Sequence, residues 1–409
     1  MALHSGARAS ALASLLLVGA CMSGEGTGSN TDLGTGSDHG NTSDNGNGTG
    51  GGTGISNAFA VTGLTADQPG LGATNVAPNL INAWGIAAFQ GMFWIADEGT
   101  GKVSIFDGAG KPSTKPASDS IDLGEGITGV ATNDSMAMQI NGHDQTTCGP
   151  ANLIFASVHG QLIGVNTNLN PTGGSVLVDR SDVMASYTGV ATVHGPRMAM
   201  GSATGDMVKG PVLALAADFH NARVDVFDES FKLLATPMFT VPDLPDGFAP
   251  FNVWAWSETV YVTYAKQDAD KAEEVTGPGL GFVAAFDVSG KLLWTAKGNE
   301  LNAPWGMAVV GGAMMPISAL VVGNFGDGHL TAIDPATGTI LGQLMDAARA
   351  PIVIDGLWGI ALGTGVQNAR PDALYFAAGP DDEAHGMFGV VSLAPPPIAP
   401  PPMAPPPPM

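Results

Sequence analysis

The chain has 409 residues, with 58 glycines and 29 prolines, and only 13% of it is charged. Its formal net charge is −22, from 37 acidic residues against 15 Lys and Arg, so no basic stripe is available to neutralise phosphates and nucleic acid is excluded as a partner. Abundant glycine among short apolar runs favours many strands joined by turns over long helices, and a chain of this length suits one repeat-built domain as well as two or three smaller ones.

Residues 1–20 read as a leader. "MALHSGAR" is weakly basic, "ALASLLLVGA" is an apolar run too short to span a bilayer, and Cys21 follows directly. "VGAC", Val18 to Cys21, resembles the lipobox of bacterial lipoproteins; the resemblance implies cleavage before Cys21 and acylation of its sulfur and new amine, which would anchor the chain to a membrane. Met22 in place of an aspartate points to the outer membrane, so an extracytoplasmic position on the bacterial cell envelope is expected. Residues 21–55 form a Gly, Ser, Thr, Asn and Asp tract without apolar periodicity, a flexible tether of roughly 30 to 35 Å end to end. Cys148, the one other cysteine, has no partner for a disulfide and is expected as a buried small residue.

Residues 56–393 carry an internal repeat. Six stretches share a bulky residue or Thr, then Gly or Asn, an aliphatic, and Ala or a stand-in: "WGIA" at Trp84, "TGVA" at Thr128 and Thr188, "FNVW" at Phe251, "WGMA" at Trp305 and "WGIA" at Trp358. Each is followed by a second apolar strand, a polar turn and a third strand, and most units end in a fourth, such as "GKLLWTA" or "GTILGQL". Four antiparallel strands repeated six times predict an all-β fold, a six-bladed β-propeller. The sixth unit lacks a fourth strand, whereas "AFAVTGL" (58–64) precedes the first unit with nothing to pair with; joining the two would close the ring through an N-terminal strand. The uncharged run "GMAVVGGAMMPISALVVG" is read as two buried strands around a turn at Pro316. Residues 394–409 read as a stiff polyproline II tail.

The segments "LINAWGIA", "FWIADEGTG", "ADFHNARVDVFD", "NAPWGMA", "VGNFGDGHLTAIDPATG" and "YFAAGPDDEAHGMFG" resemble an uncharacterised family of exported bacterial propeller proteins, and the chain is more loosely similar to NHL-repeat and gluconolactonase-like propellers. The resemblance implies the propeller fold and little about activity.

In such a propeller the turns between second and third strands share one rim with the connections leading into the innermost strands. Four of the six histidines of the repeat region (His159, His220, His329, His385) fall in these turns, beside Asp97, Glu98, Asp218, Lys266, Asp268, Asn324, Asp327, Asp381, Asp382 and Glu383. The expected binding rim is Asp97, Asp218, His220, Lys266, Asp268, Asn324, Asp381 and His385. Three readings stay open. The Asp and Asn side chains cap turns; or Asp218, His220, Asn324, Asp381 and His385 hold a divalent metal, Ca or Zn, which by analogy with gluconolactonases would serve a metal-dependent hydrolase; or the rim binds a protein, glycan or small-molecule ligand as a scaffold. The tryptophans that begin inner strands are read as packing between blades. A monomer is expected.

Overall fold

The structure, a computed structural model, describes residues 55–113, 120–144, 146–199 and 207–395. Cys21, the leader, nearly all of the tether, and the proline tail from residue 396 lie outside the described residues. The described chain is all β, apart from single 3-10 turns at Glu98–Thr100 and Ser181–Val183, and no helix in it is long and apolar enough to cross a membrane.

Six sheets form the blades of a propeller. Their innermost strands are, in order, Ala83–Phe89, Ile127–Thr132, Tyr187–His194, Phe248–Trp256, Pro304–Val310 and Leu357–Leu362. Blades 1, 2, 4 and 5 add three further antiparallel strands, and blade 3 adds two. In blade 6 the strand Phe59–Ala66 supplies the fourth position, pairing antiparallel with Met387–Leu393 from Phe59 opposite Leu393 to Ala66 opposite Met387, and the short strand Ala73–Val76 adds parallel outside it. The ring is therefore closed by the N-terminal strand, and an exposed edge is removed. The run 306–323 is two buried strands, Pro304–Val310 and Ala319–Asn324, around a turn that is exposed except for Met314 and Met315, which pack in the core.

Alternation of side chains along each strand explains why both faces of every blade are apolar. Along Val212–Asp218, Val212, Ala214 and Ala216 pack on blade 2, while Leu213, Leu215 and Ala217 pack on blade 4. The same holds round the ring, so that each of the six gaps between neighbouring blades encloses its own apolar cluster.

The repeated Gly of the inner strands has a steric cause. A Cβ on Gly85 would overlap the carbonyl of Thr128 in blade 2, one on Gly129 would strike Gly189 in blade 3, and one on Gly189 would strike Asn252 in blade 4. Likewise Gly306 faces the carbonyl of Trp358, and Gly359 that of Trp84. Blade 4 carries Asn252 instead, whose Nδ2 donates to the carbonyl of Trp305 at 2.9 Å. Six inner strands thus meet edge to edge round a narrow axis, and five of the six contacts need a residue without a side chain.

Cys148 corrects the expectation of burial: it is exposed, on the short hairpin formed by Gln139–Asn141 and Cys148–Pro150, which pairs only within itself.

Candidate functional site

The four bulky residues at the position before the inner-strand Gly or Asn, Trp84, Phe251, Trp305 and Trp358, gather at one end of the axis. Trp84 stacks on Trp358 with ring centroids 3.7 Å apart, Trp305 meets both edge-on, and Phe325 stacks on the same Trp358 at 4.1 Å. With Phe219 and Phe251 these rings form an aromatic plug across the axis. The tryptophans pack between blades as read from the sequence, and in addition they divide the axial space in two. On one side lies a cavity of about 250 Å³ lined by the far halves of the inner strands, including Trp254 and Trp256. On the other is a cup of about 520 Å³ whose floor includes Trp84, Thr188 and Phe251.

The cup's walls come from the turns between second and third strands. Glu98 enters from blade 1, His159 from blade 2, His220 from blade 3, Lys271, Glu273 and Glu274 from blade 4, and Glu383 from blade 6. Blade 4's turn is held by Asp268, whose Oδ1 accepts from the backbone N–H groups of Ala272 and Glu273. Blade 6's turn is bent by three successive non-glycine residues with positive φ, Asp381 (59°), Asp382 (50°) and Glu383 (64°). Each costs on the order of 1 kcal/mol or more, and the bend directs Glu383 inward while its neighbours stay in solvent.

Glu383 and Glu98 belong to one hydrogen-bonded chain. The Trp358 indole N–H donates to Glu383 Oε1 and to Asn82 Oδ1, both at 3.2 Å, and Asn82 Nδ2 donates to Glu98 Oε2 at 3.0 Å. Burial, then the nearby charge of Glu98, raises the carboxyl of Glu383 despite these donors. Glu273 is raised by burial and by Asp268 and Glu98. Burial in the concave wall, reinforced by Glu273, Glu383 and Asp268, pushes Glu274 up to about 8. The cup is therefore crowded with carboxylates that lack paired cations, and Lys271 stands exposed at its lip.

Of the eight rim residues expected from the sequence, only His220 lines the cup; its Nδ1 lies 3.3 Å from the carbonyl oxygen of Lys271. Asp97, Asp218 and Asn324 are buried at the ends of equivalent strands, where they tie turns together. Asp97 Oδ2 accepts from Ser104 Oγ at 2.6 Å, Asp218 Oδ1 accepts from the N–H groups of Ser186 and Asn221, and Asn324 Nδ2 donates to the Glu300 carbonyl. Burial pushes the Asp97 carboxyl well above its ordinary range. Lys266 donates to the Asp246 carbonyl, and Asp268 caps the turn that presents the two glutamates. His385 turns away, its Nδ1 2.9 Å from Asp67 Oδ2 just beyond the closing strand, with exposed Asp381 beside it.

The metal set Asp218, His220, Asn324, Asp381 and His385 is consequently not assembled, because Asp218 is engaged by the turn it caps, Asn324 is buried at its strand end, exposed Asp381 stays in solvent and His385 pairs with Asp67. Among the described residues no group of three or more His, Cys, Asp or Glu side chains is placed to hold a metal ion. Sequence reasoning missed Glu273 and Glu274, although both sit in the long turn 266–281; two adjacent acids in a turn already rich in charge, "KQDADKAEE", were the available signal.

No family model matches the chain. It is 28% identical over 337 residues to an uncharacterised protein of Acanthamoeba polyphaga mimivirus, covering 78% of this chain and 76% of that protein, and 26% identical over 330 residues to a second one, covering 78% and 81%. These relatives are viral, which corrects the expectation of an exported bacterial family. Among solved structures the chain is similar to virginiamycin B lyase from Staphylococcus aureus (TM-score 0.44, 13% identity, 82% of this chain and 100% of that one) and to Myxococcus xanthus glutaminyl cyclase (TM-score 0.36, 11% identity, 84% and 100%). The assignment as a propeller rests on this chain's own strand order.

Proposed function

We propose that the propeller is a binding module whose small-molecule ligand seats in the acidic cup. The observation that carries this reading is convergence: turns from five blades, far apart in sequence, bring Glu98, His159, His220, Glu274 and Glu383 round one concavity of about 520 Å³, a volume in the range of small-molecule sites. Strain at residues 381–383 and desolvated carboxylates are costs that packing alone does not require. Binding is preferred to metal-dependent hydrolysis because the residues that hydrolysis would need are dispersed. Attachment to a membrane through Cys21 is a second part of the proposal, supported by the "VGAC" motif; it requires that Cys21→Ser move the protein from the membrane to the soluble fraction, and an unchanged distribution would refute it.

The test of the cup uses the full chain with its tryptophans labelled with 5-fluorotryptophan. A panel of cationic, neutral and anionic metabolites is screened by fluorine NMR, the Trp84 signal being assigned by its loss in Trp84→Phe. A cup ligand shifts Trp84 and leaves Trp254 and Trp256 unmoved. If every shift falls on Trp254 and Trp256, the ligand uses the opposite mouth and the reading fails.

A further inference from the structure

We propose that the face opposite the cup docks on a neutral lipid surface through apolar side chains at its loops, so that the cup opens away from the membrane. The choice of a lipid surface rests on the attachment reading at Cys21, and the test makes no use of acyl chains.

Three observations carry this. Every inner strand runs from the cup to the opposite face, so the loops joining first to second strands all emerge there. At these loops and the strand ends that feed them, five successive blades expose large apolar residues: Met136 in blade 2, Val208 in blade 3, Trp256 in blade 4, Ile317 in blade 5, and Leu362 and Val366 in blade 6. Trp256 and Leu362 also line the axial cavity of about 250 Å³ that opens on this face. Single exposed apolar residues are ordinary; a set of them disposed round one opening makes a surface fit for docking.

The second observation is charge. The cup's carboxylates lack cations, whereas the charged side chains of these loops pair with one another. Arg197 Nε meets Glu258 Oε1 at 2.9 Å, Arg370 Nη2 meets Asp372 Oδ2 at 3.0 Å, and Asp134 meets both His194 Nε2 at 3.2 Å and Lys209 Nζ at 3.7 Å. Among the described residues of these loops, Asp144, on the hairpin that bears Cys148, is the one acid without a cation. Paired charges oppose an apolar surface less than isolated ones do. Farther from the axis, the turns after the third strands carry Asp107, Asp228, Asp287 and Asp334 on the same face. These acids disfavour an anionic bilayer, and they would confront their own copies if a second chain docked face to face.

The third observation is where the chain enters. The closing strand begins at Phe59 on this face, and just ahead of it Asn57 Nδ2 donates to the carbonyl of Met314, in the blade 5 loop that also holds Ile317. An acylated Cys21 is thus tied to the propeller beside the apolar set and opposite the cup. The acyl chains hold the protein at the bilayer, and the loops fix which end meets it.

The test is fluorine NMR of the full chain carrying Cys21→Ser and 5-fluorotryptophan, mixed with phosphatidylcholine bicelles that contain a nitroxide-bearing lipid or its unlabelled counterpart. Trp256, assigned by the loss of its signal in Trp256→Phe, is expected to gain about threefold more broadening from the nitroxide than buried Trp305 and Trp358. Met136→Ser combined with Ile317→Ser should remove most of that excess, and exposed Val275→Ser on the cup side should leave it intact. Partly replacing phosphatidylcholine by phosphatidylglycerol should reduce it. Equal broadening of the three indoles, or an excess that survives the double variant, overturns the proposal, and a larger excess with phosphatidylglycerol overturns the choice of a neutral surface. Without lipid, a Trp256 shift that grows with protein concentration assigns the face to a second copy, and a shift on removing residues 396–409 assigns it to the proline tail; either overturns the proposal. If Cys21→Ser turns soluble in the cell while Trp256 shows no excess, the docking face falls and the attachment stands. If Cys21→Ser stays with membranes while Trp256 shows the excess, attachment through Cys21 falls and the face stands.

Discussion

Glu274 shows how one side chain couples the cup to stability. Its folded-state value of about 8 lies above the ordinary 4.5, so the folded form holds a proton that the unfolded form releases. The sign follows: this group does not penalise folding below about 4.5, and its penalty grows as pH rises through 8. Glu274→Gln removes the charge and keeps the shape. The variant is expected to match the parent's melting temperature at pH 5 and exceed it at pH 9, as read by circular dichroism. A parent that is equally stable, relative to the variant, at both pH values would show that Glu274 ionises freely. Asp268, one turn earlier, behaves oppositely: accepted N–H groups, that of Ala272 first, lower its carboxyl, in keeping with its work as a cap.

At the scale of the strand, the inner-strand Gly is a spacing device. Alanine at Gly359 places its Cβ 2.5 Å from the Trp84 carbonyl, backbone against backbone, so nothing flexible can yield. Gly359→Ala is expected to lower stability by about 1–3 kcal/mol, the usual range for overpacking, whereas Gly311→Ala, whose nearest neighbour would be 3.6 Å away, should change it by a few tenths. Urea midpoints compare the two, and equal shifts would dismiss the spacing argument. This Gly also explains what could be read beforehand. Close approach of strands forces the same residue into five of six repeats, so "WGIA" and its variants announce the blades and their number. The turns obey no such common constraint. They range from "DEGTG" to the sixteen residues of 266–281, and each settles by its own caps and strained positions. Period and burial therefore located the rim but did not tell that Glu383 points inward while His385, two residues on, pairs with Asp67. For Asp97, Asp218 and Asn324 the capping reading holds and the binding-rim reading does not, because a buried cap and an exposed ligand look alike in a sequence.

For the molecule as a whole, closure hangs on the strand Phe59–Ala66. Phe59 is 1% exposed and packs in the cluster between blades 5 and 6, and the strand covers the outer edge of Met387–Leu393. A chain beginning at Asp67 leaves that edge bare. It is expected to melt at a lower temperature and to associate as concentration rises, seen by light scattering; a monomer with the parent's melting temperature would mean the ring holds without its clasp. The indole partition across the axis has its own result. A guest admitted on the carboxylate side finds a blind alley and must back out through the entrance it used, its deepest contact the last to break. Occupancy is then governed by the rate of escape, and improvements made at the far wall would lengthen residence without hastening arrival.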